Sequence, residues 1–272
     1  MASAPLNTAA TPEAEDLFPR FPRVIYRQNP LEFVVCEFRF PAILKIELEV
    51  PAAFQEAIRK EYPLFQENTA VNLAPPELLQ ALSNANLMPT GKSYLFKSMD
   101  EKWQISLSRR SFSLTCVEYR RWDDFQKHLD LPLKALISCY EPQLFTRVGL
   151  RYRDLISRKR LNLTDVSWGE LLEPGIVSFF HTPLAQTLLR SWQQVTLSLP
   201  RTDTQVTIQH GLVQTAPEGE TCYVFDSDFS TESKTDPSSA IDLVRYFNRY
   251  SWSVFRSCIS SRLHDAMEPD SA

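Results

Sequence analysis

Apolar and polar residues alternate over the first strongly patterned stretch of the chain, Phe33–Phe40. A repeat of two over eight residues predicts a half-buried strand, and its polar face carries Glu37 and Arg39. Residues 51–62 then begin with a proline and place apolar residues at every fourth position, which predicts an amphipathic helix. A short helix is also predicted over Pro76–Leu87.

Two later parts of the chain follow one order of elements, three strand patterns and then a long helical pattern. In the first part, alternating runs cover Tyr94–Ser98, Lys102–Ser108 and Phe112–Tyr119, and their close spacing predicts antiparallel hairpins. Apolar residues at helical spacing then predict a helix over Trp122–Tyr140. Pro132 lies inside this helical pattern and is expected to kink or split the helix.

The second part follows the longest strand pattern in the chain, Leu144–Ile156. Three further strands are predicted over Trp192–Leu199, Thr204–Val213 and Thr221–Phe229. A long amphipathic helix is predicted after them, over Pro237–Met267.

Neither three-strand run can bury its apolar face alone, so the two parts are expected to fold together. We therefore predict an α+β fold in which two β-β-β-α units, 94–141 and 188–267, form one largely antiparallel sheet. Both long helices would pack on one face of this sheet, in a helix-grip-like arrangement. The predicted single domain covers residues 29–267, after a disordered or extended segment, 1–28, and before a short tail, 268–272.

Six blocks of sequence, taken in order, resemble a sporadically distributed bacterial protein family of unknown function. The likeness covers most of residues 29–267, and it implies a bacterial, intracellular, single-domain protein. It implies no activity, cofactor or site residue, and Pro132 departs from the unbroken central helix that it implies. The blocks are NPLEFVVCEFRFP, FQEAIRKEYP, YLFKSMDEKWQISLS, YRRWDDF, LFTRVGLRYRDLI and VFRSCISSRL.

Composition narrows the classes of function. The chain has only 6 glycines among 272 residues, so few positions allow its backbone to approach a phosphate closely. The five cysteines are odd in number and form no C-x-x-C motif, which is typical of reduced thiols in the cytoplasm. The first 20 residues lack the features of a signal peptide, and no apolar run approaches the roughly 18 residues that span a bilayer. We expect a cytoplasmic protein without a membrane partner.

Catalytic and metal motifs are weak in this sequence. Thr90–Ser93 matches the end of a phosphate-binding loop, but Asn86 stands where that motif requires its first glycine. The four histidines form no H-E-x-x-H motif and no zinc spacing with cysteine. His210 falls on the apolar face of its strand, which favours a core histidine. We predict no cofactor, no metal site and no catalytic residue.

A row of arginines is the strongest chemical feature. The alternation of the longest strand places Arg147, Arg151 and Arg153 on one face, with Gly149 between them. A glycine in such a row lets another group approach the backbone. Polar residues of two other predicted strands would complete this candidate binding surface, namely Glu37, Arg39, Asp226 and Asp228.

Two interpretations of this surface remain open. Arginine suits bidentate capture of carboxylate or phosphate, so the row could bind a protein partner or a small anionic ligand. Alternatively, the three arginines pair with Glu37, Asp226 and Asp228 across the strands and only stabilise the sheet.

The absence of a recognisable catalytic motif favours a non-enzymatic binding or protein-interaction protein of a bacterial cytosolic system, with an unknown ligand. One alternative is an enzyme that clamps an anionic substrate with the arginines and uses Asp226 or Asp228 as acid or base. Another alternative is nucleic-acid binding through residues 91–160, which hold 15 Lys and Arg against 8 Asp and Glu. The sequence pI of about 5.7 is low for that class.

Overall fold

The protein is described by a computed structural model that covers residues 19–69, 92–215 and 219–271. Strands make up much of this part of the chain, and all their pairings are antiparallel. In chain order they are β1 (Val24–Tyr26), β2 (Leu31–Arg39), β3 (Leu64–Thr69), β4 (Lys92–Lys97), β5 (Trp103–Ser108), β6 (Ser111–Cys116), β7 (Arg147–Ile156), β8 (Trp192–Ser198), β9 (Gln205–Thr215), β10 (Glu220–Thr231) and β11 (Pro269–Ser271).

Two of the described α-helices are long, and the others are short. In chain order they are α1 (Leu44–Leu48), α2 (Ala52–Ile58), α3 (Trp122–Tyr140), α4 (Trp168–Leu171), α5 (Ala240–Cys258) and α6 (Ser261–Ala266). Single turns of 3-10 helix occur at Ser178–His181, Pro183–Thr187 and Pro237–Ser239.

Nine of the strands form one sheet in the order β3-β4-β5-β6-β2-β7-β10-β9-β8. The strands β2 and β7 therefore lie side by side near its centre, with Cys36 opposite Leu150. The small strands β1 and β11 pair separately and bring the two ends of the described chain together. The prediction of a mixed α+β protein with a large antiparallel sheet is confirmed.

One face of the large sheet is buried under helices because its side chains are apolar. A single hydrophobic cluster contains Val34 of β2, Leu150 of β7, Phe125 of α3 and Phe247 of α5. The opposite face of the central strands has only a small apolar cluster of its own, formed by two residues of β2. The sheet thus has one face packed under α3 and α5 and one face that carries most of the polar side chains of β2 and β7.

Pro132 does not split the first long helix, because α3 runs unbroken from Trp122 to Tyr140. A proline removes the amide that would bond to the carbonyl four residues earlier, here that of His128. The hydroxyl of Tyr62 donates to this carbonyl at 2.9 Å. The tertiary contact replaces the missing helical bond, so the predicted split is wrong.

The predicted C-terminal helix, in contrast, is interrupted. Ile259 has an extended backbone and pairs with Leu172 as an isolated bridge. The amide of Ser260 donates to the carbonyl of Leu171, and its side chain accepts from the amide of Leu263 to cap α6. Contacts with the segment after α4 therefore end α5 and start a second helix.

Other boundaries differ by a few residues or were missed. The strand predicted over Leu144–Ile156 begins at Arg147, and Phe145 before it forms an isolated bridge with Thr235. The strands β1, β3 and β11 and the helix α1 were not predicted from the sequence. The helix predicted over Pro76–Leu87 lies outside the described residues.

Candidate functional site

The three arginines of β7 lie on one face of the sheet, as predicted, and carboxylate side chains pair with them. Arg147 and Arg151 are only 7% and 6% exposed, although they lie on the helix-free face. Arg147 donates from Nη1 to Oε2 of Glu37 at 2.9 Å and from Nη2 to both carboxylate oxygens of Asp228, at 2.8 and 2.6 Å. Arg151 binds both oxygens of Asp226 through Nε and Nη2, each at 2.6 Å.

The ends of the row are paired in the same way. Arg153 donates from Nε to Glu32 at 2.7 Å and from Nη1 to Asp226 at 3.3 Å. Arg39 donates from Nε to Glu37 at 3.0 Å. Four guanidinium groups therefore meet four carboxylates, and the sequence-predicted site residues come together as an ion-pair network.

The charged state of the two most buried arginines, Arg147 and Arg151, is favoured by the carboxylates beside them. Burial disfavours the charged form of Arg147, but Asp228 and Glu37 outweigh burial and raise its pKa. Burial acts against Arg151 as well, and Asp226 outweighs it and raises the pKa of Arg151. These buried pairs satisfy each other's hydrogen bonds, which is the condition under which buried charges are tolerated.

The space beside the network is too small for a ligand. A cleft lined by Glu37, Arg147, Gly149, Arg151 and Asp228 has a volume of about 10 Å³. That volume is about the minimum for one water molecule. An anion could enter only if a guanidinium gave up its carboxylate partner.

A much larger cavity lies on the opposite, helix-covered face of the sheet. Its volume is about 400 Å³, and it is bounded by β7, β10, the middle of α5, the first turn of α3 and residues 23–31. This volume is within the usual range of small-molecule sites. Much of its wall is aromatic, at Tyr26, Tyr119, Trp122, Phe229, Trp252 and Phe255.

Asp154 of β7 lines this cavity, which we call the Asp154 cavity. The residue is 6% exposed, and none of the described residues forms a hydrogen bond or ion pair with its carboxyl group. Burial, with a further contribution from the charge of Asp226, raises the pKa of Asp154 well above its usual range. Burial therefore favours the protonated form of Asp154, whose O–H group a bound molecule can accept from.

Other polar groups of the wall are already hydrogen-bonded. The hydroxyl of Tyr152 donates to Oδ1 of Asn248 at 3.0 Å. The backbone carbonyl of Asn248 accepts from Nη2 of Arg23 at 2.5 Å and from the hydroxyl of Ser251 at 2.9 Å. Hydroxyl Oη of Tyr26 lies 2.6 Å from the ring nitrogen Nδ1 of His264. These bonds hold part of the wall in place, and Asp154 is a buried group of this wall without a hydrogen-bond partner among the described residues.

An N-terminal segment, residues 19–26, crosses α5 and closes one side of the cavity. The indole of Trp252 donates to the carbonyl of Pro22 at 3.1 Å, and the guanidinium of Arg256 lies 5.2 Å from the ring centre of Phe21. The pairing of β1 with β11 continues this attachment. Entry into the cavity from this side requires the segment to move.

Sequence reasoning missed the Asp154 cavity, although one signal was present. The alternation that places Leu150 and Tyr152 on the buried face also places Asp154 there, two residues later. A carboxyl group on a buried strand face is costly unless it is paired. Such a residue is a candidate for function, and no pattern in the sequence indicates the surrounding space.

The remaining candidates have structural surroundings. His210 is 1% exposed, and its Nδ1 lies 2.8 Å from the hydroxyl of Tyr223. Of the phosphate-loop candidate, Lys92 and Ser93 belong to β4, and its first two residues lie outside the described ranges. Within the described ranges, no three His, Cys, Asp or Glu side chains are grouped so that they could hold a metal ion.

Comparison with known proteins gives little further guidance. A scan of protein-family models gives no match to the sequence, and a search of curated proteins gives no significant match. Across the described residues, no helix combines the length and the apolar character needed to cross a membrane.

Proposed function

We propose that this chain is a non-enzymatic binding protein whose ligand, a small and mostly apolar molecule, occupies the Asp154 cavity. The observation that carries the proposal is the unpartnered, buried carboxyl group of Asp154 on the wall of a 400 Å³ cavity. Binding pockets typically combine an apolar lining with a few polar groups that orient the ligand. The aromatic wall and Asp154 supply these two elements.

The carboxyl group of Asp154 can form hydrogen bonds that no described residue provides. A polar group buried without a partner costs about 1–3 kcal/mol in proteins. A ligand atom that accepts a hydrogen bond from the protonated carboxyl group would remove this cost. On the same wall, the hydroxyl of Tyr152 already donates to Oδ1 of Asn248.

The setting we propose is a bacterial cytosolic system, as the sequence resemblance implies. All five cysteines are free thiols, which fits a reducing compartment. For the fold we propose two β-β-β-α units in a helix-grip-like arrangement, with the cavity between the sheet and the long helix of the second unit. The position of the cavity against α5 and β10 supports this assignment.

The alternatives that use the arginine row have less support. An enzyme that binds an anionic substrate at Arg147, Arg151 and Arg153 would have to replace existing carboxylate partners, which lie at 2.6–3.3 Å. Nucleic-acid binding through residues 91–160 would draw in part on the same paired groups, Arg147, Arg151 and Arg153. No specific observation favours either function over the cavity.

A fluorescence titration with the full-length chain tests the proposal. The probe is N-phenyl-1-naphthylamine, a neutral and apolar dye that brightens when it leaves water. Saturable binding with one site per chain is expected. In Ser251→Trp the added indole fills the cavity and should abolish this binding, whereas Ser257→Trp, on the exposed side of α5, should leave it unchanged. Absence of saturable binding, or equal binding in both variants, would refute the proposal.

A further inference from the structure

The mouth of the Asp154 cavity is strongly cationic, unlike its interior. Four arginines belong to the lining and all four are exposed, and the acidic residues of the lining are Asp123 at the mouth and Asp154 inside. The arginines are Arg23, Arg120, Arg121 and Arg249. Four guanidinium groups face the single carboxylate of Asp123 at the mouth, so the mouth carries an excess of positive charge.

Two of these arginines have no assigned role in the fold. Among the described residues, the side chains of Arg120 and Arg121 form no hydrogen bond or ion pair. In contrast, Arg23 is bound to Asn248, and Arg249 lies over the rings of Tyr246 and Tyr250 at 5.5 and 5.2 Å. Arg120 and Arg121 are therefore available to a bound anion.

The N-terminal end of α3 also favours a negatively charged ligand at the mouth. The helix begins at the mouth, its N-cap residue is Arg121, and no side chain caps its first turn. Uncapped amides and the helix dipole attract negative charge at this end. Asp123 and Asp124 of the first turn offset part of that charge, so the arginines provide the main attraction.

The interior selects a different chemical group. Aromatic side chains surround the space, and the carboxyl group of Asp154 faces it without a hydrogen-bond partner among the described residues. A ligand that satisfies both regions has an apolar body inside and an anionic group outside. An organic cation would suit aromatic walls and an ionised carboxylate, but it would have to pass four guanidinium groups.

We infer that the ligand is an anionic amphiphile, with its apolar body in the Asp154 cavity and its carboxylate or similar anionic group held by Arg120 and Arg121. This inference rests on the proposed binding function and specifies the chemical class of its ligand. Charge-assisted bonds from arginine to a carboxylate supply the selectivity, because they are stronger than bonds to neutral groups.

A displacement series separates the two proposals. Decanoate, decan-1-ol and decylamine share one alkyl chain and differ in the head group, and each competes with bound N-phenyl-1-naphthylamine. Decanoate should displace the dye at the lowest concentration and decylamine at the highest. The advantage of decanoate over decan-1-ol should be about tenfold and should shrink with added salt.

Paired variants locate the anion site. Arg120→Gln with Arg121→Gln should remove most of the decanoate advantage over decan-1-ol, with the dye affinity of the same variant measured as the reference. Arg190→Gln with Arg201→Gln removes the same charge from exposed positions outside the cavity lining and should change neither value.

Three results would overturn the inference while dye binding continues to support the cavity. They are equal displacement by decanoate and decan-1-ol, strongest displacement by decylamine, and an unchanged decanoate advantage after loss of Arg120 and Arg121. Failure of the dye itself to bind would overturn both proposals.

Discussion

The hydroxyl of Tyr62 donates a hydrogen bond to the backbone carbonyl of His128, which Pro132 deprives of its helical donor. The same hydroxyl lies 3.1 Å from Nδ1 of His128, and the imidazole stacks on Trp103 with ring centres 3.9 Å apart. A residue after α2 thus completes the backbone bonding of α3. The helix tolerates its proline because the tertiary fold supplies a donor at this point.

This relationship predicts a coupling between Tyr62 and Pro132. Tyr62→Phe should lower the free energy of unfolding by about 1–3 kcal/mol, since it removes the donor to the partly buried carbonyl of His128. In a Pro132→Ala background the alanine amide replaces the lost donor, so Tyr62→Phe should cost about 1 kcal/mol less. Urea unfolding of the two single variants and the double variant measures the coupling. Additive effects would show that the hydroxyl does not serve this carbonyl.

Gly149 is expected to be essential for the position of Arg147. The guanidinium of Arg147 lies over Gly149, so a Cβ there would overlap Nη1 and lie 2.9 Å from Cζ. Gly149→Ala should therefore displace a guanidinium that Glu37 and Asp228 hold, at a cost of about 1–3 kcal/mol in unfolding free energy. Gly175→Ala is the control, because a Cβ at Gly175 meets nothing within 4 Å. Equal stability of the two variants would contradict the argument.

Among the acidic residues of the ion-pair network, the central one, Asp226, should cause the largest loss of stability when it is replaced. Asp226 is 4% exposed and pairs with both Arg151 and Arg153. Asp226→Asn breaks the buried ion pair with Arg151, and the loss of one partner of a buried pair typically costs about 3–5 kcal/mol. Asp242→Asn breaks an exposed pair with Arg245 and should cost less than about 1 kcal/mol. Chemical unfolding at neutral pH compares them, and similar losses would indicate that the network contributes little.

Asp154 should make stability fall as the pH rises. Burial raises its pKa in the folded protein, whereas an aspartate in the unfolded chain ionises near pH 4. Above that pH the folded state retains a proton that the unfolded state releases. The free energy of unfolding therefore decreases, by up to about 1.4 kcal/mol per pH unit, until the pH reaches the pKa of the folded state.

The substitution Asp154→Asn removes this titration. The stability of the variant relative to the natural chain should increase as the pH rises above about 4, and urea unfolding at a series of pH values measures the change. Asp165→Asn, at an exposed position after β7, should show a constant difference. A constant difference for Asp154→Asn as well would mean that Asp154 is ionised in the folded protein.

The alternation of apolar and polar residues correctly predicted which face of a strand each side chain occupies. The alternation in β7 correctly separated Arg147, Arg151 and Arg153 from Leu150 and Tyr152, because successive side chains of a strand point to opposite faces. The interpretation in which these arginines pair with Glu37, Asp226 and Asp228 also agrees with the structure. It could be formulated from sequence because all these residues lie on polar faces of strands.

Contacts between segments that are distant in the chain could not be predicted from the local sequence pattern. The end of α5 depends on Leu172, and the continuity of α3 through Pro132 depends on Tyr62. The missed strand β1 forms only through its partner β11, about 240 residues later in the chain. None of these partners can be identified from the residues beside the feature itself.

The sequence by itself determined the periodicity of each element, the apolar face of each strand, the positions of the arginines and the free state of the thiols. The tertiary structure decided which strands are neighbours, and so closed the arginine row with carboxylates and opened a space beside Asp154. The physical reason is that periodicity depends on the geometry of a few consecutive residues. A cavity or an ion pair depends on where separate segments meet, and the folded chain as a whole sets those positions.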